Sequence, residues 1–399
     1  MGKGVTKSQV FFMVLACILI IGNLYYNQPL LGVLAREFGV TEKEVSLVPA
    51  FTMIGYAIGI LLLVPLGDMM ERRRLMQVCM SISGALAFSI AFSPNVTVLC
   101  ILSFLMGFFN VSATVLIPFS ANLARPQERG KIVGTVLAGI LLGSLMARTL
   151  AGFITEHFGW KTVYVFAGSV NIVLAVIIHW ALPTAESQFT GTYKQLIKST
   201  LQLVKDFSLV REAALMGAIL FGSFSMFWTT LTFLLEGQPF EYSAQTIGLF
   251  GILGMIGAAA APIAGRYADK KGTAATIRLG LYFAMAAFAV LAASTQWVWG
   301  IVIGVLLLDL GIQVAHISNQ TRMFELSEEA RSRLSSIYIF CYFVGGSLGS
   351  YVGSLLWSWG KWPAVSLGGL FFCLLATTIF RRGQRRRALL NVAPHPSHG

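Results

Sequence analysis

Along this chain, runs of about twenty apolar residues alternate with short polar breaks. The alternation occurs twelve times, near residues 9–34, 44–67, 75–93, 96–122, 131–156, 162–182, 213–236, 243–265, 275–294, 297–321, 334–359 and 363–380. A helix that is apolar all round needs an apolar solvent, and in hydrocarbon every backbone group must be bonded within its own segment. The pattern therefore predicts an all-α polytopic membrane protein with twelve spanning helices. The long polar connection, residues 183–212, reads differently. Its Tyr193, Leu196, Ile197, Leu201 and Val204 fall at helical spacing, with Lys194, Lys198 and Lys205 on the other side. That predicts an amphipathic helix lying on the membrane surface. The first apolar run is too long for a signal-peptide core and continues into Asn23-Leu24-Tyr25-Tyr26-Asn27-Gln28-Pro29 without a small-residue cleavage site, so it is expected to be retained as a span.

The polar breaks repeat as well. Val64-Pro65-Leu66-Gly67-Asp68-Met69-Met70-Glu71-Arg72-Arg73-Arg74 stands between two apolar runs, and Gly265-Arg266-Tyr267-Ala268-Asp269-Lys270-Lys271-Gly272 stands between two others half a chain later. An acid-plus-basic loop that recurs at half-length predicts a duplicated bundle. The expected organisation is a six-helix bundle over 1–182, a linker over 183–212, a second six-helix bundle over 213–380 and a basic tail over 381–399. Function is then expected between the halves.

Composition agrees. The chain is 56% hydrophobic and 12% charged, about half the charge of a soluble domain. Its formal net charge of +12 could suggest nucleic acid, but the placement argues otherwise. With the N-terminus cytoplasmic, the outer loops hold only Arg36, Lys43, Lys161 and Lys361, while the loops on the side of the termini hold nearly all the other Lys and Arg. The positive-inside rule then puts both termini in the cytoplasm. The tail Arg381, Arg382, Arg385, Arg386 and Arg387 is expected to be a topology anchor that also touches anionic lipid. Trp357, Trp359 and Trp362 fall where an outer aromatic belt belongs. The five cysteines are scattered, odd in number and without metal-ligand spacing, so no disulfide framework, metal or cofactor is expected. No phosphate-cradling loop is present, nor is there a nucleophile with a base or a pair of acids, which argues against an ATP-driven pump and against an enzyme.

Twelve helices, a six-plus-six duplication, a basic linker and these two loops resemble the major facilitator superfamily. The second loop matches its signature at Gly265, Asp269, Lys270 and Gly272, and the first at Asp68, Arg72 and Arg73, with Val64, Met69 and Glu71 departing from it. Within the superfamily the chain looks most like drug/proton antiporter-type permeases. Gly134, Gly143 and Gly152 fit their helix 5 signature, whereas Ala147, Arg148 and Ala151 depart from it, and Ser103 stands where they usually carry an arginine. The resemblance implies that the loop residues gate the cytoplasmic side and that helices 1, 4, 7 and 10 line a central cavity.

Only Arg148 and Asp309 fall well inside the apolar runs. Each costs about 2.5–3.5 kcal/mol to insert at a helix centre, so both are candidate functional residues. Asp309 is expected to bind a coupling proton, with Arg148 as its partner cation and His316 as a relay. A static pair that locks the halves is the alternative. Asn23, Tyr26, Asn27, Asn110, Thr114, Phe221, Ser225, Trp228, Thr229 and Gln313 are the candidate substrate wall. The glycines at three-residue spacing on helix 8 (Gly248, Gly251, Gly254 and Gly257) predict a close helix crossing. The expected function is secondary active transport of a small organic solute by alternating access. Proton-coupled efflux is the first reading, and uptake of a nutrient or iron-chelate by the same fold is the second. A non-transporting receptor is a weaker third. The expected partners are the solute, protons and membrane lipids, and the expected location is the inner (plasma) membrane of a bacterium, as a monomer.

Overall fold

The computed structural model describes residues 5–125, 127–184, 191–259, 270–326 and 330–392. Among these residues it is helical, with no strand. Ten helices are long and apolar enough to cross a membrane: Lys7–Phe38 (span 1), Glu42–Met69 (span 2), Arg72–Ala91 (span 3), Val96–Leu123 (span 4), Arg129–Phe158 (span 5), Trp160–Ala181 (span 6), Ser208–Glu236 (span 7), Thr273–Ala292 (span 9), Val298–Phe324 (span 10), and Arg333–Arg387, which holds two. That last helix leaves helical geometry at Gly360 and Lys361, which separates span 11 from span 12. Span 8 is Ala244–Ala259. Twelve spans result, as the hydropathy pattern predicts. Large apolar side chains such as Phe11, Phe92, Trp180, Leu348, Trp359 and Phe371 remain exposed around the bundle, a surface suited to lipid rather than to water. Of the belt tryptophans, only Trp359 is exposed. Trp357 and Trp362 turn inward, where their indole nitrogens bond to Glu42 and to the Leu291 carbonyl.

The packing repeats in the two halves. Span 1 lies on span 5, span 2 on span 4, and span 3 on spans 4 and 6; correspondingly span 7 lies on span 11, span 8 on span 10, and span 9 on spans 10 and 12. The outer part of span 1 touches spans 7 and 8, and two more extensive contacts join the halves, span 2 with span 11 and span 5 with span 8. The second depends on the glycine seam. A Cβ added at Gly248 would lie 2.6 Å from the Arg148 carbonyl, and one at Gly251 2.6 Å from the Leu145 carbonyl, so only glycine admits this backbone approach.

Spans 1 and 4 are both interrupted. Span 1 is α-helical over Lys7–Ile21, then passes through two short 3-10 turns, Gly22–Leu24 and Gln28–Leu30, before resuming at Leu31. Span 4 breaks between Val96–Phe109 and Ser112–Leu123. Breaks inside hydrocarbon leave backbone groups that side chains must satisfy. Asn110 does so: its Nδ2 donates to the Ile20 carbonyl at 3.0 Å while its Oδ1 accepts from Asn23 Nδ2 at 2.9 Å. The two broken helices are thereby joined at one level.

The connection between the halves carries the amphipathic helix, Tyr193–Asp206, opened by a Thr192 capping box and tied to the end of span 2 by a bond from Tyr193 Oη to the Leu62 carbonyl. In the first acidic loop, Arg72 Nη2 meets Asp68 Oδ1 at 2.6 Å, and Arg72 Nε donates to the Gly67 carbonyl. Arg73 pairs with Glu71 and donates to the carbonyls of His179 and Leu182, which satisfies the end of span 6. In the second loop Gly265 and Asp269 lie outside the described residues. Lys270 is exposed, and Gly272 has φ +84 as span 9 begins.

Candidate functional site

The halves meet closely on the face opposite the termini. Arg36 Nη1 of span 1 contacts Glu236 Oε2 of span 7 at 3.2 Å. Glu42 of span 2 accepts from Trp357 Nε1 at 2.6 Å and Lys361 Nζ at 3.3 Å. Deeper, Thr232 Oγ1 donates to the Gln28 carbonyl, freed by the break in span 1, and Ser347 Oγ donates to the Ala50 carbonyl. Toward the termini the halves part. A vestibule of 530 Å³ opens between spans 2, 4 and 5 of one half and spans 10 and 11 of the other. It shares Thr114 and Ile339 with a narrower central cavity of 130 Å³.

Arg148 is on the wall of this central cavity, although it is only 2% exposed. Its guanidinium is held from four sides. Nε donates to Gln28 Oε1 at 2.6 Å and Nη1 to the Ser144 carbonyl at 2.8 Å. Its Cζ lies 4.1 Å from the ring centre of Trp228 and 4.9 Å from that of Tyr25, within cation–π range. Nη2 is buried without an acceptor, and Trp228 Nε1 is likewise a buried donor without a partner. Asp309 is 0% exposed, and neither of its oxygens has a hydrogen-bond partner. It forms no ion pair with Arg148, and the lining of neither cavity includes it. Its carboxyl fills the space left by a glycine: a Cβ at Gly254 would lie 3.1 Å from Asp309 Oδ1 and 2.8 Å from Leu145 Cδ2. The acid therefore sits behind the cavity wall, where spans 5, 8 and 10 converge.

The other candidates divide. Thr114, Phe221, Gln313 and His316 line the central cavity. Trp228 is behind that wall and offers its ring face to Arg148, which is on it. Asn23 and Asn110 are bonded to each other, and Asn27 Nδ2 donates to Thr52 Oγ1. Thr229 shares a hydrogen bond with Ser350, Ser225 contacts Met53 Sδ, and the Tyr26 ring packs over Gly22. None of these six is on the cavity wall; all but Tyr26, which packs within span 1, join one span to another. His316 Nδ1 is bonded to Tyr338 Oη at 3.1 Å, and its ring lies 4.5 Å from that of Tyr342. Tyr25, Tyr56, Phe224, Tyr342 and Phe343 also line the cavity, and no sequence signal separates them from ordinary apolar core. A second unforeseen group lies near the termini. Glu212 accepts from Arg322 and from Arg387 of the tail, while Arg322 Nη2 donates to Asn319 Oδ1.

Two similarly packed six-helix halves around a cavity open to one side, with a buried arginine on its wall, are the architecture of a membrane transporter. The sequence model of the Major Facilitator Superfamily matches residues 13–350, and the chain belongs to that family. It is 38% identical over 383 residues to the Escherichia coli transporter YgaY, covering 96% of this chain and 97% of the relative. It is 28% identical to the Streptomyces coelicolor transporter SCO4007, over 90% of this chain and 84% of the relative. Among solved structures, the nucleoside transporter NupG shares its fold, with a TM-score of 0.74 at 12% identity over 94% of this chain and 99% of that one.

Proposed function

We propose that this transporter is proton-coupled, carrying a small organic solute through the cavity between its halves while Asp309 takes up and returns the proton. The observation that carries this reading is the isolation of Asp309: a carboxyl with no solvent and no donor for either oxygen. Ionising a carboxyl so placed leaves a buried charge with no donor on either oxygen, a cost that the opposite charge of Arg148 offsets if the distance closes. Rocking of the halves alters the crossing of spans 5 and 8, which carries Arg148 past Gly248 and Gly251, and so offers a way to load and discharge the acid. His316, two helical turns from Asp309 on the cavity wall, is the relay position toward the vestibule.

The distribution of Lys and Arg supports a cytoplasmic location for both termini, in the plasma membrane of a bacterium. The vestibule then faces the cytoplasm and the ionic contacts of Arg36 and Glu42 close the outer side. Asp68, Arg72 and Arg73, with Lys270 and Gly272 of the second loop, are the proposed inner gate, and the basic face of the linker helix and the tail rest on anionic lipid.

Infrared difference spectra of the protein in nanodiscs test the proton site without needing a solute. The carbonyl band of a buried protonated carboxylic acid should titrate in the native protein and vanish in Asp309→Asn. Persistence of that band in the variant would reject the assignment.

A further inference from the structure

The charge in the two cavities has one sign. Arg148 lines the central cavity and Arg129 and Arg331 line the vestibule, and no acidic side chain lines either among the described residues. The remaining central lining is mostly aromatic and aliphatic, with Phe221 and Tyr342 stacked at 3.9 Å. Arg148 Nη2 and Trp228 Nε1 are adjacent buried donors that lack acceptors. Buried donors left in this condition cost about 1–3 kcal/mol each, and a charged one more. A site of this composition lacks a negative, planar acceptor with an apolar body.

We propose that the central cavity binds a small aromatic carboxylate, held through Arg148 and Trp228, and that this anion moves in the same direction as the proton. The class follows from geometry. Two neighbouring buried donors without acceptors, one of them charged, suit the two oxygens of one carboxylate. A dianion would bring a second charge with no cation at the centre to meet it, a large penalty in low dielectric. A volume of 130 Å³ suits a body of one ring, and the positive charge of Arg129 on the vestibule wall raises the local concentration of anions.

The direction of coupling rests on the proton role given to Asp309. The other ionisable groups facing this centre are Tyr25 on span 1, Tyr56 on span 2, His316 on span 10 and Tyr342 on span 11; none of them is an acid of the carboxyl kind. With Asp309 ionised, it and Arg148 compensate each other, and a bound anion leaves the centre net negative. With Asp309 protonated, the anion compensates Arg148. Proton and anion therefore favour each other's binding, and the carrier crosses with both or with neither. That makes the coupling symport, in place of the exchange expected from the sequence.

The test is calorimetric binding to the full chain in nanodiscs, using benzoate, the neutral benzamide, the cationic benzylamine and the dianionic phthalate. Benzoate alone should bind, more tightly as pH falls over about pH 8 to 6, where the probe itself stays ionised. Arg148→Gln should weaken it by about tenfold or more, Arg148→Lys by less, with thermal unfolding confirming that both variants are folded. Asp309→Asn should bind benzoate with no pH dependence. In proteoliposomes, an acid exterior should drive benzenesulfonate inward, an anion that does not cross lipid unaided. Equal binding of benzamide or benzylamine, failure of every aromatic anion to bind, or undiminished binding to folded Arg148→Gln would overturn the anion site and leave the proton role intact. Arg148-dependent binding that ignores pH in the native protein would keep the anion site but overturn the co-transport and, with it, the role of Asp309.

Discussion

The closed face is held by two contacts whose strengths differ, and Glu42→Ala distinguishes them. Glu42 accepts from Lys361 Nζ at 3.3 Å and from Trp357 Nε1 at 2.6 Å. The lysine contact is between exposed side chains and is worth less than about 1 kcal/mol. The indole contact differs, because Trp357 is only 6% exposed. Removing its acceptor strands a buried donor, at a cost of about 1–3 kcal/mol. That cost falls on the closed state alone, since separation of spans 2 and 11 lets water reach the indole. The equilibrium should therefore shift about 5- to 150-fold toward opening of this face. Lys361→Ala removes a cation that is 63% exposed in its side chain from an acid that is 43% exposed, so its shift should be no more than about fivefold. Spin labels at exposed Lys43 and Gln296, one in each half, placed in a background without the five native cysteines, would report the two populations as two distances. An equal or larger shift for Lys361→Ala, or no shift for Glu42→Ala, would refute the assignment of the closure to the indole bond.

Other substitutions follow from the packing. Gly251→Val places a Cβ 2.6 Å from the Leu145 carbonyl and 3.2 Å from Arg148 Cβ, so spans 5 and 8 must separate. Thermal unfolding in detergent should show a loss of about 1–3 kcal/mol, larger than for Gly134→Val, where nothing lies within 4 Å of the added carbon. Asn110→Ala removes its two bonds from span 4 to span 1, and should cost about 1–3 kcal/mol. If these amides bound solute instead, that variant would lose transport while keeping its unfolding temperature.

The number and order of the spans were legible because a membrane helix is written in length and apolarity alone. Arg148 and Asp309 stood out for a related reason, the rarity of charge in such runs. The fate of Asn23, Asn27 and Asn110 was not legible, because an amide at mid-depth suits a solute and a broken helix equally well. Nothing in the apolar run around Gly22 or Asn110 announces the interruption that claims those amides. Tyr56, Tyr342 and Phe343 were hidden for the opposite reason: an aromatic ring on a cavity wall and one in a core have the same sequence signature. The Glu212–Arg322–Arg387 cluster joins three segments far apart in sequence, and its members lie at helix ends where charge is ordinary.

The two seams that join the halves are equivalent in the fold but not in chemistry. Between spans 2 and 11 the buried contacts join neutral side chains, Tyr56 with Phe343 edge-on at 4.6 Å and Ser347 with the Ala50 carbonyl, while the ion pair of Glu42 with Lys361 is solvent-exposed at the outer end. Between spans 5 and 8 the glycine-lined crossing carries Arg148 on one side and leads to Asp309 behind it. Rocking moves both seams, yet only the second changes the separation of buried opposite charges, and in low dielectric that separation dominates the energy. A carrier with buried charge in both seams would have two proton sites to satisfy in each cycle. With buried charge in one, the first seam serves as the hinge while the second couples motion to the occupancy of Asp309 and Arg148.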